Sequence, residues 1–208
     1  KSAYWFRFTV ENRLASTESW YFEISYPMLD SLKMYAPDDN GVYGMIETGD
    51  HLPFHKRDVD NTGFVFHFVD SPGVKTCYFR IKTTSAVSFE PVIMSQQSFF
   101  KKINTEIPVF WIYYGLMLVM ALYNFLIFLS TRDRDYVLYV LFIAVYILFQ
   151  MTLNGHAFQY LWPNSIWWAN NSLPFFITLC LFFVGVFIIS ALETRKHFPG
   201  LHKFMLIL

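Results

Sequence analysis

The chain has only two cysteines, Cys77 and Cys180. The first falls in a strand-like run and the second inside an apolar run, so they lie in different solvents and a disulfide between them does not fit. Two isolated cysteines make neither a disulfide framework nor a metal site. An exported domain without disulfides is compatible with a bacterial periplasm. No basic patch is present: 16 Lys and Arg balance 16 Asp and Glu, without the clustering that nucleic-acid binding needs. Nucleophile elbow, phosphate loop, HExxH and GxGxxG are absent too. These residues read as non-catalytic, with no cofactor and no metal expected. Charge itself is nearly missing from half of the chain. Residues 109–208 hold only eight charged side chains, all between apolar runs. Residues 1–108 hold 11 of the 16 basic and 13 of the 16 acidic residues, a formal charge of −2. That is ordinary for a soluble domain of this size.

What fills the second half is apolar sequence of spanning length. VFWIYYGLMLVMALYNFLIFL, residues 109–129, is twenty-one residues without a charge. At ~1.5 Å per residue it reaches roughly 31 Å, enough for the ~30 Å hydrocarbon core of a bilayer. Similar runs cover about 136–153 and 173–192, and 204 onward begins a fourth. Pro174 fits the first turn of the third span. Segment 155–171 has no Lys or Arg but carries Trp162, Trp167 and Trp168, the mark of an interfacial belt. The first loop holds Arg132 and Arg134, and the third holds Arg195, Lys196 and Lys203. The positive-inside rule places both in the cytoplasm, five charges against Lys101 and Lys102 outside. Residues 1–108 are then expected outside, periplasmic or extracellular, on a multi-pass membrane protein. Asp133 and Asp135, each beside an arginine, read as loop-end anchors. No Asp, Glu, Lys, Arg or His lies within the three full spans, which argues against a pump or transporter. Asn124 and Gln150 are their main polar groups, Asn124 as an interhelical hydrogen-bonding group.

The first half alternates with period two, as half-buried strands do. Phe6, Phe8 and Val10 face opposite to Trp5, Arg7 and Thr9. Trp20, Phe22 and Ile24 oppose Tyr21, Glu23 and Ser25. Phe64, Phe66 and Phe68 oppose Val65, His67 and Val69. Further strands are expected at 32–36, 42–47, 76–82 and 87–94. Pro37-Asp38-Asp39-Asn40-Gly41 is a hairpin signal, because Asn-Gly tolerates positive φ at both central positions. Asp70-Ser71-Pro72-Gly73 is another turn. With no convincing amphipathic helix, the expectation is an all-β sandwich or jelly roll over residues 1–100. A linker over 101–108 and a transmembrane helical domain over 109–208 follow. The chain reads as a fragment, starting inside a strand pattern without an initiator Met and stopping in the first turns of a span.

The order of these parts resembles the bacterial seven-transmembrane receptors with diverse intracellular signalling modules. The β half resembles their type-2 extracellular domain. The likeness rests on Tyr4-Trp5-Phe6-Arg7-Phe8 with Asn12, Trp20-Tyr21, Tyr26-Pro27, and Tyr35 with Asp39-Asn40-Gly41. It continues through Thr48-Gly49-Asp50, Pro53-Phe54, Arg57 and Tyr78-Phe79-Arg80. In the membrane half it is carried by Tyr114-Gly115, Ala121-Leu122-Tyr123-Asn124, Arg132-Asp133 and Tyr136 to Tyr139. The resemblance implies a jelly-roll outer domain similar to carbohydrate-binding modules and seven helices. It also implies a cytoplasmic diguanylate cyclase or histidine kinase output. The implied partners are a small ligand or carbohydrate and the lipid bilayer. A homodimer through a sheet edge is the alternative, and a transporter a further one.

The aromatic content of the β half suggests a sugar platform, with flat rings on apolar sugar faces and Arg beside them. The candidates are Trp5, Trp20, Tyr35, Arg57 and Arg80. Each also has a structural role to weigh. Trp20 shares a face with Phe22 and Ile24, as a core residue would. Arg57 and Arg80 fit ion pairs with Asp50, Asp58 or Glu23. Asp50, His51 and His55 form a DHxxxH cluster, but Pro53 interrupts it and the histidines read as solvated loop residues.

Overall fold

Among the described residues, seven strands form two antiparallel sheets, and helices long enough to cross a membrane follow them. The computed structural model describes residues 3–14, 16–38, 40–84 and 89–192. Strands β1 (Tyr4–Asn12), β6 (Gly73–Lys82), β3 (Ser31–Pro37) and β4 (Tyr43–Thr48) make a four-stranded sheet in the order β1-β6-β3-β4. Strands β5 (Phe64–Asp70), β2 (Glu18–Ile24) and β7 (Pro91–Ser95) make a three-stranded sheet in the order β5-β2-β7. The period-two alternation explains the layering. Phe6, Phe8, Leu32, Met34, Cys77, Phe79 and Ile81 from one sheet meet Phe22, Ile24, Phe64 and Phe66 from the other. Rings dominate the seam: Phe79 lies 4.4 Å from Phe22 and 5.4 Å from Phe66. Burying side chains of this size stabilises by about 1.5–3 kcal/mol each before entropy is counted. The sandwich is as the alternation leads one to expect.

The β3–β4 hairpin differs from expectation. Gly41 has φ +81°, but Asn40 is not left-handed. Asp38 does the work instead. Its Oδ1 accepts from the N–H groups of Asn40 (2.9 Å) and Val42 (2.8 Å), and its carbonyl accepts from Gly41 N–H (3.0 Å). An Asx-turn therefore replaces the two-residue type I′ turn. Asp39 lies outside the described residues.

The second sheet is covered on its other face by helix α1 (Gln96–Thr131). Phe99 is buried against Tyr21, with centroids 4.4 Å apart and planes 8° from parallel, and Ile103 packs on the same cluster. Lys102 Nζ lies 2.7 Å from the buried carboxylate of Glu23 on β2. Residues 101–108, expected to be a linker, are thus helical.

The chain divides into two compact units, Lys1–Thr105 with Asn154–Asn170, and Glu106–Leu153 with Asn171–Leu208. In the second unit, α1 is followed by α2 (Arg134–Leu153) and α4 (Ile166–Ala191), while the short α3 (His156–Tyr160) belongs to the first. Among the described residues, three helices, α1, α2 and α4, are long and apolar enough to cross a membrane. Leu116, Val119 and Leu181 are each more than 60% exposed, an apolar surface that calls for a non-aqueous neighbour. Asp133 Oδ1 accepts from Asp135 N–H at the start of α2, the expected loop-end anchor. Asp135 also accepts from Ser190 Oγ on α4. Arg132, with φ +57°, ends α1 in the left-handed conformation.

Two expectations about the helices need correction. Pro174 is inside α4, not in its first turn, because the helix begins at Ile166, earlier than the apolar run suggests. Asn124 donates to Met120 of its own helix (2.8 Å) and makes no interhelical bond among the described residues, so its polarity is absorbed locally. Gln150 instead reaches Tyr113 of α1 (3.4 Å) and Tyr146 (2.8 Å). The expected fourth span from 204, and the third loop with Arg195, Lys196 and Lys203, lie outside the described residues.

Candidate functional site

The outer face of the four-stranded sheet carries an ordered array. Register places Trp5 opposite Arg80, Arg80 opposite Lys33, and Lys33 opposite Glu47, one row across all four strands. The next row is Arg7, Tyr78, Tyr35 and Met45. Trp5 and Tyr35 sit on strands either side of β6, whose neighbours lie roughly 10 Å apart. Their rings lean together over it to 5.7 Å, with planes 23° apart. Trp5 remains 59% exposed in that stack. The structure therefore brings together three of the candidates from sequence, Trp5, Tyr35 and Arg80.

A groove of about 330 Å³ borders this face, lined by Asp30, Ser31, Lys33, Glu47, His51, Arg80 and Lys82. Glu47 is held by Lys33 (3.0 Å) and Ser31 (3.4 Å). Asp30 accepts from Thr83 Oγ1 (3.0 Å) and from Thr84 N–H and Oγ1 (each 2.9 Å). Burial pushes the Asp30 carboxyl up, but bonds from Thr84 and Thr83 outweigh it and hold the group below its ordinary value.

Asp30 also meets Asp50 and His51. One donor atom from each lies within 4.8 Å of the others, a set a divalent cation would accept. His55 is not part of it, and only Asp50 and His51 of the sequence cluster contribute. His51 Nε2 stands 3.9 Å from both carboxylates. Asp50 Oδ1 is buried with no hydrogen-bond partner among the described residues. Burial pushes the Asp50 carboxyl up to about 6, with His51 opposing, Asp30 adding and Arg57 opposing. Asp30 was invisible as a member because the β2–β3 connection delivers it from twenty residues away.

Arg57 belongs elsewhere. It is buried, and its Nη1 donates to the carbonyls of Asn61 (2.7 Å), Thr62 (2.6 Å) and Gly63 (3.1 Å). Its guanidinium lies 4.6 Å from the centroids of Phe54 and Phe64 and 5.8 Å from Phe158. An interior cation bonded to loop carbonyls has the surroundings of a structural clamp, apart from the Trp5–Tyr35 face. None of the expected partners Asp50, Asp58 or Glu23 is within ion-pair distance of it among the described residues. Trp20 also stands apart. It is half-buried on β2 of the other sheet, beside Leu14, Glu18, Gln96 and Phe100. It cannot share a ligand with the Trp5–Tyr35 face across the sandwich core.

The Arg57 clamp holds a second segment. Residues 154–170, the connection from α2 together with the first turn of α4, belong to the same compact unit as the sandwich. Phe54 N–H donates to the Pro163 carbonyl (2.9 Å), Phe158 meets Phe54 edge-on at 5.7 Å, and Asn170 Nδ2 donates to the Asp50 carbonyl (3.3 Å). Gly155, with φ +79°, is a tight approach, where a Cβ would crowd Thr62 at 3.1 Å and Pro27 at 3.2 Å. Segments on opposite sides of a bilayer cannot pack together. This loop and the sandwich therefore share one side, as the charge asymmetry of the loops leads one to expect.

Comparison with known proteins agrees with this two-part organisation. A family model described as 7TMR-DISM extracellular 2 matches residues 1–95. Another, described as 7TM diverse intracellular signalling, matches residues 106–208. No curated protein and no solved structure matches the chain.

Proposed function

The chain belongs to the 7TMR-DISM family, and from that premise we propose that it is the sensing portion of a bacterial inner-membrane receptor. The outer β domain binds a carbohydrate on the open face of its four-stranded sheet. The observation that carries this reading is the Trp5–Tyr35 stack, with Trp5 exposed and Tyr35 half-buried, beside Arg80. Large rings left in water on a solvent-facing sheet surface suit the apolar face of a sugar, and a guanidinium beside them suits its polar edge. The test is titration of the full chain in nanodiscs with a panel of oligosaccharides. Trp5→Ala and Tyr35→Ala are expected to abolish saturable binding while leaving the melting temperature within a few degrees. Undiminished binding in both variants would overturn the assignment.

Signal transfer follows from how the β domain is tied to chain that continues into the membrane. Phe99 and Lys102 fasten α1 to the second sheet, and the Phe54–Arg57 turn fastens the loop joining α2 to α4. A ligand that favours one arrangement of the β domain can bias these helices only by its differential affinity for the two states. The output, a diguanylate cyclase or a histidine kinase, is assigned to cytoplasmic sequence outside these residues.

A second reading is dimerisation. Strand β4 is an edge of its sheet, and Tyr43 and Met45 on it are about half exposed. An unpaired edge with apolar side chains invites another strand. Concentration-dependent association without saturable sugar binding would favour it.

A further inference from the structure

Charge on the proposed sugar face is unbalanced in a way the fold does not need. The four-stranded sheet presents Arg7, Arg80, Lys33 and Lys82 outward, against Glu47. Glu47 is already held by Lys33, while Asp30 at the groove is bonded by the uncharged donors of Thr83 and Thr84 and stays anionic, so four cations stand against two carboxylates. At the far end of β1, Glu11 pairs with Arg13 (2.7 Å). Arg7, Arg80 and Lys82 have no ion-pair partner among the described residues. Their positions are close. Arg7 is the diagonal cross-strand neighbour of Arg80, and Lys82 is two residues along the same strand, each separation roughly 7 Å. Like charges so placed repel, so their juxtaposition costs stability unless something anionic joins them. The stacked Trp5 and Tyr35 rings stand over β6 between Tyr78 and Arg80, so a ring bound on them brings its substituents to the guanidinium.

We propose that the ligand of this face is an acidic sugar, a uronate-bearing oligosaccharide whose ring packs on Trp5 and Tyr35 and whose carboxylate is held by Arg80. Arg7 and Lys82 supply the surrounding positive field. The inference rests on the carbohydrate reading above and names the class of sugar. A planar guanidinium matches a carboxylate in a two-point contact, which a neutral ester cannot reproduce.

The test uses the full chain in nanodiscs of zwitterionic lipid, so that anionic lipid does not compete. The probes are trisaccharides of galacturonate and of mannuronate, each compared with its methyl ester. At least one acid is expected to bind about tenfold or more tighter than its ester at low salt, a charge-assisted contact being worth that factor. The advantage should shrink in 0.5 M salt. Arg80→Gln should remove the preference, so that acid and ester bind that variant alike, and Lys82→Gln should reduce it in part. An ester bound as tightly as its acid, or a preference surviving in Arg80→Gln, overturns the acidic-sugar inference and leaves the carbohydrate reading standing. Saturation by none of the four sugars overturns the acidic-sugar inference, and if no neutral oligosaccharide saturates the chain either, the carbohydrate reading falls with it.

Discussion

Replacing Arg57 by alanine should loosen the loop 154–170 from the β domain, and the size of the effect can be worked from its contacts. Nη1 donates to three carbonyls in the Asn61–Gly63 turn. A buried acceptor deprived of its donor costs about 1–3 kcal/mol. Because Thr62 and Asn61 are only half-buried, water can recover part of this, and the lower end applies to each. The guanidinium also lies against Phe54 and Phe64, contacts worth about 0.5–1 kcal/mol apiece. Removing the charge returns some desolvation cost. The balance is about 3–5 kcal/mol, the usual range for breaking a buried charged network. For a chain of this size each kcal/mol moves the melting temperature by about 2–4 °C, so a fall of roughly 6–20 °C is expected. Tryptophan fluorescence in detergent would follow it, since Trp162, Trp167 and Trp168 lie in the loop region. Hydrogen exchange should show residues 154–170 losing protection ahead of the sandwich core. A melting temperature within 2 °C of the parent, with the loop still protected, would refute the clamp. So would a loss of sugar affinity without any loss of stability, because that would return Arg57 to the ligand.

Three further outcomes are expected. Gly155→Ala forces a left-handed backbone on alanine and drives its Cβ into Thr62 and Pro27, at a cost of about 1–3 kcal/mol; an unchanged melting temperature would show that the loop does not need this approach. Asp50 keeps its proton to about pH 6 in the folded chain against an ordinary 3.8, so below pH 4 it is neutral in both states and costs nothing. Between pH 4 and 6 the unfolded chain ionises first and stability falls, by about 3 kcal/mol in all; Asp50→Asn should flatten that slope, and a slope equal to the parent's would locate the titration elsewhere. Inserting ten flexible residues at Asn104 interrupts α1 just beyond Lys102, so sugar binding should persist and the output of the parent receptor should be lost; an output that still responds would remove α1 from the signalling route.

Periodicity made much of this molecule legible. The Phe6/Phe8 and Phe64/Phe66/Phe68 alternations each placed one face of a strand in the core, and the long uncharged run after Pro108 marked a membrane helix. Helix ends were less legible. The Phe99 and Ile103 pair is too short a pattern to announce Gln96–Thr105 as helix, whose stability comes from Phe99 on Tyr21 and Lys102 on Glu23. Likewise α4 begins at Ile166 among Trp, Asn and Ser residues that read as an interfacial loop. Of the candidate binding residues, Trp5 was placed on the solvent side by its alternation with Phe6. Lys33, Tyr78 and Arg7 were missed because nothing in a strand's own sequence names its neighbours. Arg57 looked like a ligand residue because a loop arginine beside Asp50 and Asp58 has the composition of a site. Only its neighbours show a clamp.

The order and spacing of residues alone determined that a soluble β domain precedes membrane helices, which strand faces are buried, and which loops carry the positive charge. These depend on local period and composition, which hydrophobic transfer acts on directly. Tertiary structure decided what is adjacent to what: that β6 lies between β1 and β3, so that Trp5 and Tyr35 stack. It also decided that Asp30 joins Asp50 and His51, and that the loop between α2 and α4 returns to Arg57. Such pairings are set by strand order and register, by hydrogen bonds between residues far apart in the chain, and no local pattern encodes them.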